Sequence, residues 1–205
     1  MTAGQRPDEK TRRHLRITEP SAWVRRFAAL VPTDGEVLDL ACGGGRHTAL
    51  MLNLGHRVLA VDKSTDAITE RLGDRDNLTI LTADLEDGGP VFSAGGVLEA
   101  RKFAGIIVVN YLHRPLMDGL IGALELGGVL IYETFGRGNE VFSKPRNPDH
   151  LLQAGELLDE CEGRLHVIAY EHGIEETGEL PGVKSRICAV RLDSEDAAPR
   201  PLQPS

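Results

Sequence analysis

The sequence predicts an α/β fold whose parallel sheet is covered by helices on both faces. Four apolar runs with the look of buried strands are each followed by a segment of helical character. Continuous apolar strands are typical of a parallel sheet that is buried on both faces. Gly43, Gly44 and Gly45 follow the first run, and a strand, a glycine turn and a helix form the first half of an α/β nucleotide site.

The first element is a predicted helix that begins at Pro20 and Ser21, with Ser21 as its cap. Trp23, Phe27 and Leu30 then lie on one face, which we expect to pack on the sheet. The alternative is that Trp23 covers a ligand. The predicted strands are residues 37–40, 57–61, 78–82, 103–109 and 129–134.

The connections between these strands carry the helices. One begins at Arg46, one is capped by Ser64 and extends to Leu72, and one spans residues 115–126. Residues 87–102 are rich in glycine and are predicted to be irregular with a short helix. The pair Gly127-Gly128 is expected to break the chain before the fifth strand.

The last third of the chain has a different pattern. Residues 135–149 form a polar segment with two glycines and two prolines, and such long loops are often functional lids. A helix over 156–161 and strands over 165–170 and 184–192 follow. The segment 172–183 between these strands is rich in turn residues and predicts a hairpin.

Composition limits the classes of protein that fit. The 205 residues predict one domain at 21–192, with a mobile basic arm at 1–20 and a disordered tail at 193–205. Residues 1–26 carry a net charge of +4 and the remainder −12, which disfavours a nucleic-acid partner.

No apolar run reaches the ~20 residues that span a bilayer. The sequence also lacks a signal-peptide pattern, so we expect a cytoplasmic protein without a membrane partner. Three cysteines without metal-type spacing predict reduced thiols and no metal site.

The glycine turn indicates which nucleotide would bind. It lacks the third glycine of the dinucleotide fingerprint and the Gly-Lys-Ser/Thr of a P-loop. The pattern Asp39-x-Ala41-x-Gly43-x-Gly45 resembles motif I of the class I S-adenosylmethionine (SAM)-dependent methyltransferases, with Ala41 in place of the first glycine. The segment 124–128, Leu-Glu-Leu-Gly-Gly, resembles a stretch common in that family before the fifth strand. The resemblance implies a single Rossmann-like, doubly wound domain. Its seven-stranded sheet would have the order 3-2-1-4-5-7-6 and an antiparallel seventh strand.

The resemblance also implies a cofactor, SAM, with S-adenosylhomocysteine (SAH) as product, held at the carboxyl ends of the strands. Asp62 would accept hydrogen bonds from both ribose hydroxyls, and Asp84 from the adenine amino group. Leu85 would offer its amide to the ring, and Asn110 would face the methionine part. An acid at a strand end is also a common cap or turn residue. The predicted cofactor-binding residues are Asp39, Ala41, Gly43, Gly45, Asp62, Lys63, Asp84, Leu85 and Asn110.

Methyl transfer needs alignment above all, and a base only where the acceptor must lose a proton. His113 is the predicted base, because its unperturbed pKa is close to neutrality, and Tyr111 is predicted to line the methyl channel. Arg46, Arg114 and Glu133 are the predicted substrate residues. Each of these five side chains has a plain structural alternative in packing, capping or exposure to solvent.

The sequence thus predicts a SAM-dependent methyltransferase that acts on a small-molecule acceptor. The pair Arg46-His47 and the segment from Tyr132 to Glu156 most resemble the small bacterial tellurite-resistance-type enzymes. The alternatives are an RNA or protein methyltransferase that docks its substrate on the basic arm, and a SAM-binding regulator without catalysis. A nicotinamide-dependent oxidoreductase is disfavoured by the missing third glycine. The acceptor atom and the oligomeric state do not follow from the sequence.

Overall fold

The computed structural model describes residues 17–73, 75–177 and 180–192 of the chain. They form one seven-stranded sheet in the order β3-β2-β1-β4-β5-β7-β6. Strands β1 to β5 are parallel, and β7 is antiparallel to both of its neighbours. The predicted fold class and strand order are confirmed. The predicted tail and residues 1–16 of the predicted arm lie outside the described residues.

The strands are β1 (Glu36–Leu40), β2 (Arg57–Asp62), β3 (Leu78–Thr82), β4 (Phe103–Val109), β5 (Leu124–Phe135), β6 (His166–Glu175) and β7 (Gly182–Val190). The α-helices are α1 (Ala22–Phe27), α2 (Arg46–Asn53), α3 (Asp66–Leu72), α4 (Met117–Gly122) and α5 (Glu156–Cys161). Four 3₁₀ turns occupy Ala28–Leu30, Arg114–Leu116, Asn139–Val141 and Pro148–His150.

The core lies on both faces of the sheet, as the continuous apolar strands predict. All seven residues of β4 are buried, and their side chains alternate between the two faces. Ile106 and Val108 pack toward α4 and α5, whereas Ile107 and Val109 pack toward α1 and α2. The centre of the sheet is therefore enclosed, and its polar strand ends are where a ligand can reach it.

Helix α1 packs on this sheet as predicted. The Ser21 hydroxyl accepts a hydrogen bond from the Trp23 amide at 3.1 Å and caps the helix. Trp23 is 3% exposed, and its indole Nε1 donates to the Ile187 carbonyl of β7 at 3.2 Å. The alternative in which Trp23 covers a ligand is wrong, because the ring is enclosed between helix and sheet.

The fifth strand begins earlier than predicted. Helix α4 ends at Gly122 rather than at residue 126, and β5 passes through Gly127 and Gly128 instead of starting after them. The pairing with β4 shifts register here, and Gly127 adopts a φ of 78°. Its amide donates to the Arg191 carbonyl at 2.7 Å. The two glycines therefore form an irregularity within the strand, which short-range sequence signals do not separate from a turn.

Three further boundaries differ from the prediction. Helix α3 has Thr65 at its N-cap without a side-chain bond, and Ser64 instead donates its amide to Asp62 Oδ1 at 3.0 Å. Within the described chain, residues 87–102 contain turns and bends but no helix. The hairpin is confirmed, but its strands extend into the segment predicted as the turn, because ladder pairing runs from His172 through Glu175.

Helix α2 is held close to α3 by the absence of a side chain at Gly45. Gly45 is the N-cap of α2 with a φ of 72°, and a Cβ there would lie 2.7 Å from Ile68 Cγ1. Gly55, at the other end of α2, also has a positive φ, of 91°, but has open space around the Cβ position. A comparison of substitutions at the two glycines therefore distinguishes the effect of backbone conformation from the effect of packing.

We expect Gly45→Ala to lower the free energy of unfolding more than Gly55→Ala. Both substitutions force a left-handed alanine, at about 1–2 kcal/mol each. Gly45→Ala adds an overpacking term of about 1–3 kcal/mol, because Ile68 is buried. Urea denaturation of both variants and the wild type measures the difference. Equal losses would contradict a packing role for Gly45.

Candidate functional site

The glycine turn after β1 is built from residues in the left-handed conformation. Ala41, Gly43 and Gly45 have φ values of 56°, 53° and 72°. The Cys42 amide between them donates to the Val61 carbonyl of β2 at 3.1 Å. Ala41 therefore permits the turn that a glycine makes at this place in motif I.

Asp39 braces the turn from behind. It is 1% exposed, and Thr48 of α2 donates its hydroxyl to Asp39 Oδ2 at 2.5 Å. Burial raises the pKa of Asp39 to about 6 despite the hydrogen bonds from Thr48. Asp39 and Gly45 are absent from the lining of the cavities at this edge of the sheet, so both act on the turn from within the protein.

Three cavities lie at this edge, and two of them meet at the glycine turn. The small cavity, of about 150 Å³, is lined by Ala41, Asp62, Lys63, Ala83, Asp84, Leu85, Glu86 and Tyr111. The large cavity, of about 490 Å³, lies over the glycine turn. Its lining includes Ala41, Gly43, Arg46, His47, Glu86, Asn110, Tyr111, Phe135, Lys144 and His150. Ala41, Glu86 and Tyr111 line both, so the two cavities are adjacent.

The small cavity brings together residues that end β2 and follow β3. The Asp62 carboxylate accepts the Gly43 amide at 2.9 Å through Oδ2 and the Ser64 amide at 3.0 Å through Oδ1. Asp84 Oδ1 accepts the Glu86 amide at 3.0 Å. Each carboxylate oxygen can accept a second hydrogen bond, so these contacts leave capacity for a ligand that donates.

Asn110 and Tyr111 follow β4 and separate the cavities. Asn110 has a φ of 58°, and its amide donates to the Glu133 carbonyl at 2.8 Å. The Tyr111 hydroxyl is buried and has no well-aligned hydrogen-bond partner among the described residues. Burial, and then the carboxylate of Glu86, raises its pKa. A buried hydroxyl of this kind, on the wall of two cavities, suits a ligand that supplies the missing partner.

The segment after β5 covers the large cavity with Lys144, Pro145 and His150. Arg114 fixes the far end of this segment. Its guanidinium donates to the carbonyls of Asp149 and Leu151 at 2.6 and 2.9 Å, and Nε donates to the Glu156 carboxylate at 2.6 Å. Arg114 lines neither cavity, so the structure gives it an anchoring role in place of the predicted contact with substrate.

The other predicted substrate and catalytic residues divide in two groups. Arg46 and Tyr111 line the large cavity. His113 is half-buried at the start of a 3₁₀ turn and lines neither cavity, so its predicted role as base has no geometric support. Glu133 is 5% exposed and accepts hydrogen bonds from Ser21 and Arg186 at 2.9 and 2.8 Å. It lines neither of these two cavities, but it lines the third one, of about 450 Å³, together with Arg46 and Asn110.

Sequence reasoning missed several residues of the large cavity. His47 is 4% exposed, and its Nε2 accepts the Ser21 amide at 3.2 Å. Burial, and then the charge of Arg46, lowers the pKa of His47 to about 3, which keeps the ring neutral. The position of His47 two residues after the last glycine of the turn was a usable signal. Lys144 and His150 come from the covering segment, and their positions depend on how that segment folds back.

Neither a metal site nor a membrane span emerges from the described part of the chain. Within residues 17–73, 75–177 and 180–192, no group of three His, Cys, Asp or Glu side chains is placed to hold a metal ion. None of the helices found there has the length and apolar character to cross a bilayer. Cys42, Cys161 and Cys188 are buried as reduced thiols.

The comparisons with known proteins agree with this architecture. The model of one family, described as tellurite resistance protein TehB, matches residues 12–91, which is less than half of the chain. A search of curated proteins returns no match. The match includes the glycine turn, Asp62 and Asp84, and the predicted resemblance to tellurite-resistance-type methyltransferases is confirmed.

Solved structures share the fold at low sequence identity. The glycopeptide N-methyltransferase MtfA complexed with SAH is 21% identical, covers 85% of this chain and 91% of its own, and has a TM-score of 0.56. TehB from Haemophilus influenzae is 18% identical over 82% of this chain and 61% of its own, with a TM-score of 0.59. A SAM-dependent methyltransferase from Methanosarcina mazei is 13% identical over 85% and 99%, with a TM-score of 0.60. The chain therefore has the fold of the class I SAM-dependent methyltransferases.

The neutral state of His47 predicts an acid-dependent loss of stability. Its pKa is about 3 in the folded protein, against 6.5 for an unperturbed histidine, so the unfolded chain binds the extra proton below pH 6.5. The free energy of unfolding should fall as the pH drops below 6.5, by up to about 1.4 kcal/mol per pH unit. His47→Gln keeps an acceptor for Ser21 and should reduce this slope in urea denaturation between pH 7 and 5.

The matched control for that measurement is His166→Gln, which changes an exposed histidine at the start of β6. Asp39 acts in the opposite direction, because its raised pKa adds stability as the pH falls through about 6. That contribution is common to both variants and cancels in the comparison. An unchanged slope in His47→Gln would show that His47 is not held neutral by the fold.

Proposed function

We propose that the protein is a SAM-dependent methyltransferase that transfers a methyl group to a small-molecule acceptor by in-line displacement. The observation that carries the proposal is the pair of adjacent cavities at the carboxyl edge of the sheet. One presents Asp62 and Asp84 at the ends of β2 and β3, and the other lies on the glycine turn. In open α/β sheets, ligands bind at this edge.

The small cavity would hold the adenosine part of SAM. Asp62 would accept from the ribose hydroxyls while its hydrogen bond to the Gly43 amide keeps the turn in place. Lys63 lies beside it at the rim. Asp84 would accept from the adenine amino group, and the buried Leu85 would pack on the ring and offer its amide.

The large cavity would hold the methionine part together with the acceptor. Its volume of about 490 Å³ falls in the range of small-molecule sites, about 300–1,000 Å³. SAM supplies an activated methyl group on a sulfonium, which is already a good leaving group. The contribution of the chain is then to align the acceptor and to exclude water, which the segment 135–149 does by covering the cavity. Arg46 and Lys144 on its wall favour an acceptor that carries negative charge.

Two other functions remain in competition with this one. An RNA or protein methyltransferase would need a docking surface for a macromolecule, and the net charge of −12 beyond residue 26 opposes a nucleic acid. A SAM-binding regulator would have the same cofactor site without turnover. Release of SAH above background in a screen of metabolite fractions separates the enzyme from the regulator. A comparison of SAM and NADH binding tests the cofactor itself.

The cofactor assignment predicts that Asp62→Asn weakens SAH binding. Asparagine keeps one oxygen for the Gly43 amide but cannot accept from both hydroxyls of a diol. Loss of a hydrogen bond to a charged group is worth about 1.5–3 kcal/mol, or about 10- to 150-fold in Kd. Isothermal titration with SAH measures the change. Asp66→Asn is the control, since this exposed acid begins α3 outside both cavities. Wild-type affinity in a folded Asp62→Asn protein would refute the assignment.

For an acceptor that must lose a proton, the geometry favours His150 over His113 as the acid–base residue. His150 lines the large cavity, whereas His113 does not. General-base catalysis is worth about 10²- to 10⁴-fold, so His150→Ala should lower kcat by at least about 10²-fold while His113→Ala remains near the wild type. SAH release with the acceptor found in the screen measures both rates.

The reverse pattern, a slow His113→Ala and a normal His150→Ala, would restore the assignment made from sequence position. Wild-type rates in both variants would mean that the acceptor reacts without a base, as expected for a soft nucleophile. SAH affinity should stay unchanged in His113→Ala, because His113 lines neither cavity.

A further inference from the structure

A buried lysine beside the large cavity has no part in the methyl transfer described so far. Lys184 is 4% exposed and lies on β7 directly opposite Phe135 of β5. Its Nζ is 3.6 Å from the centroid of the Phe135 ring and donates to Asn110 Oδ1 at 2.9 Å. The contact between the two side chains thus joins β7 to Asn110, the residue after β4, across the end of β5.

A charge in this position has to be explained, because burial of an ammonium group is unfavourable unless it gains partners. Burial lowers the pKa of Lys184 to about 8, and the nearby carboxylate of Glu133 opposes that change. The group is therefore mainly protonated at neutral pH. The charge has three partners, the Phe135 ring, the nearby Glu133 carboxylate and the Asn110 amide, and of these Asn110 receives its hydrogen bond.

The contact fixes which way the Asn110 amide is turned. An ammonium group has donors and no acceptor, so the amide oxygen must face Lys184 and the Nδ2 group must face away from it. The backbone of Asn110 is fixed too, by its left-handed φ and its hydrogen bond to Glu133. Asn110 lines both the large cavity and the third cavity, whereas Lys184 lines the third and not the large one. The Nδ2 group, which faces away from Lys184, is thus available to a ligand group in the large cavity that accepts hydrogen bonds.

We propose that Lys184 is a positioning residue for the amino-acid part of SAM: it turns the Nδ2 donors of Asn110 toward the large cavity, where they bind the carboxylate of the ligand. The inference rests on the proposed function and deepens it. Without Lys184 the amide is free to present its oxygen instead, which repels a carboxylate.

The test compares two ligands that differ in this one part. SAH carries the amino-acid carboxylate, and 5′-methylthioadenosine has the same adenosine and sulfur without it. Lys184→Met should raise the Kd for SAH by about 10-fold or more, the effect of one charge-assisted hydrogen bond, and leave the Kd for 5′-methylthioadenosine within about twofold. Isothermal titration at pH 7 measures both.

Three variants control the result. Lys102→Met removes an exposed lysine that donates to the Gly122 carbonyl at the opposite edge of the sheet, and should change neither Kd. Asn110→Asp keeps an oxygen for Lys184 but has no donors, and should lose SAH affinity as Lys184→Met does. The double variant Lys184→Met/Asn110→Asp should lose no more than either single one. If Lys184→Met fails to fold, Asn110→Asp still carries the test.

The outcomes separate the inference from the function on which it rests. A wild type that binds neither SAH nor 5′-methylthioadenosine refutes the cofactor assignment. A wild type that binds both, with a Lys184→Met variant that weakens both equally or neither, refutes the positioning role alone. Additive losses in the double variant refute it as well, because they would place the two side chains in separate interactions with the ligand.

Discussion

The hydrogen bond between the Gly43 amide and Asp62 is the contact on which the site depends. It joins the turn after β1, which contributes to both cavities, to the end of β2, which lines the small one. Three of the five residues 41–45 that form the turn are left-handed, and this conformation is unfavourable for a chain without supporting contacts. Asp62 in front and the buried Asp39–Thr48 pair behind hold it. The site is therefore preorganised by two carboxylates that have different surroundings and different tasks.

Periodicity was sufficient to locate most of the strands and helices, whereas the strand order followed from the resemblance to the methyltransferases. The bounds of β3, β4 and α5 follow directly from the apolar runs and their flanking residues, because each of these elements lies between clear breaks. The start of the fifth strand was harder to predict. Gly127 and Gly128 have the local signature of a turn, and only their pairing beyond β7, through Arg191, keeps them in the sheet. Long-range pairing of this kind leaves no trace in a short window of sequence.

The residues of the candidate site could likewise be predicted only where local features of the sequence place them. Asp62, Asp84, Leu85 and Asn110 were predictable because the carboxyl ends of parallel strands meet at one edge whatever the details of packing. His113 was placed by its distance along the chain from Asn110, but it lies at the start of a 3₁₀ turn and lines neither of the two cavities. Lys184 was not predictable at all. Its position depends on the antiparallel register of β7 against β5, which is set by the hairpin and not by any local motif.

The position of Trp23 gives the protein an internal spectroscopic reporter. It is the one tryptophan of the chain, so the intrinsic indole emission has a single source. The ring is enclosed against β7, with its Nε1 bonded to the Ile187 carbonyl, and it lines neither cavity. Its emission will therefore follow the opening of the sheet core and shift to longer wavelength as water reaches the ring. The fluorescence of this one ring can therefore record the unfolding of the core between α1 and β7.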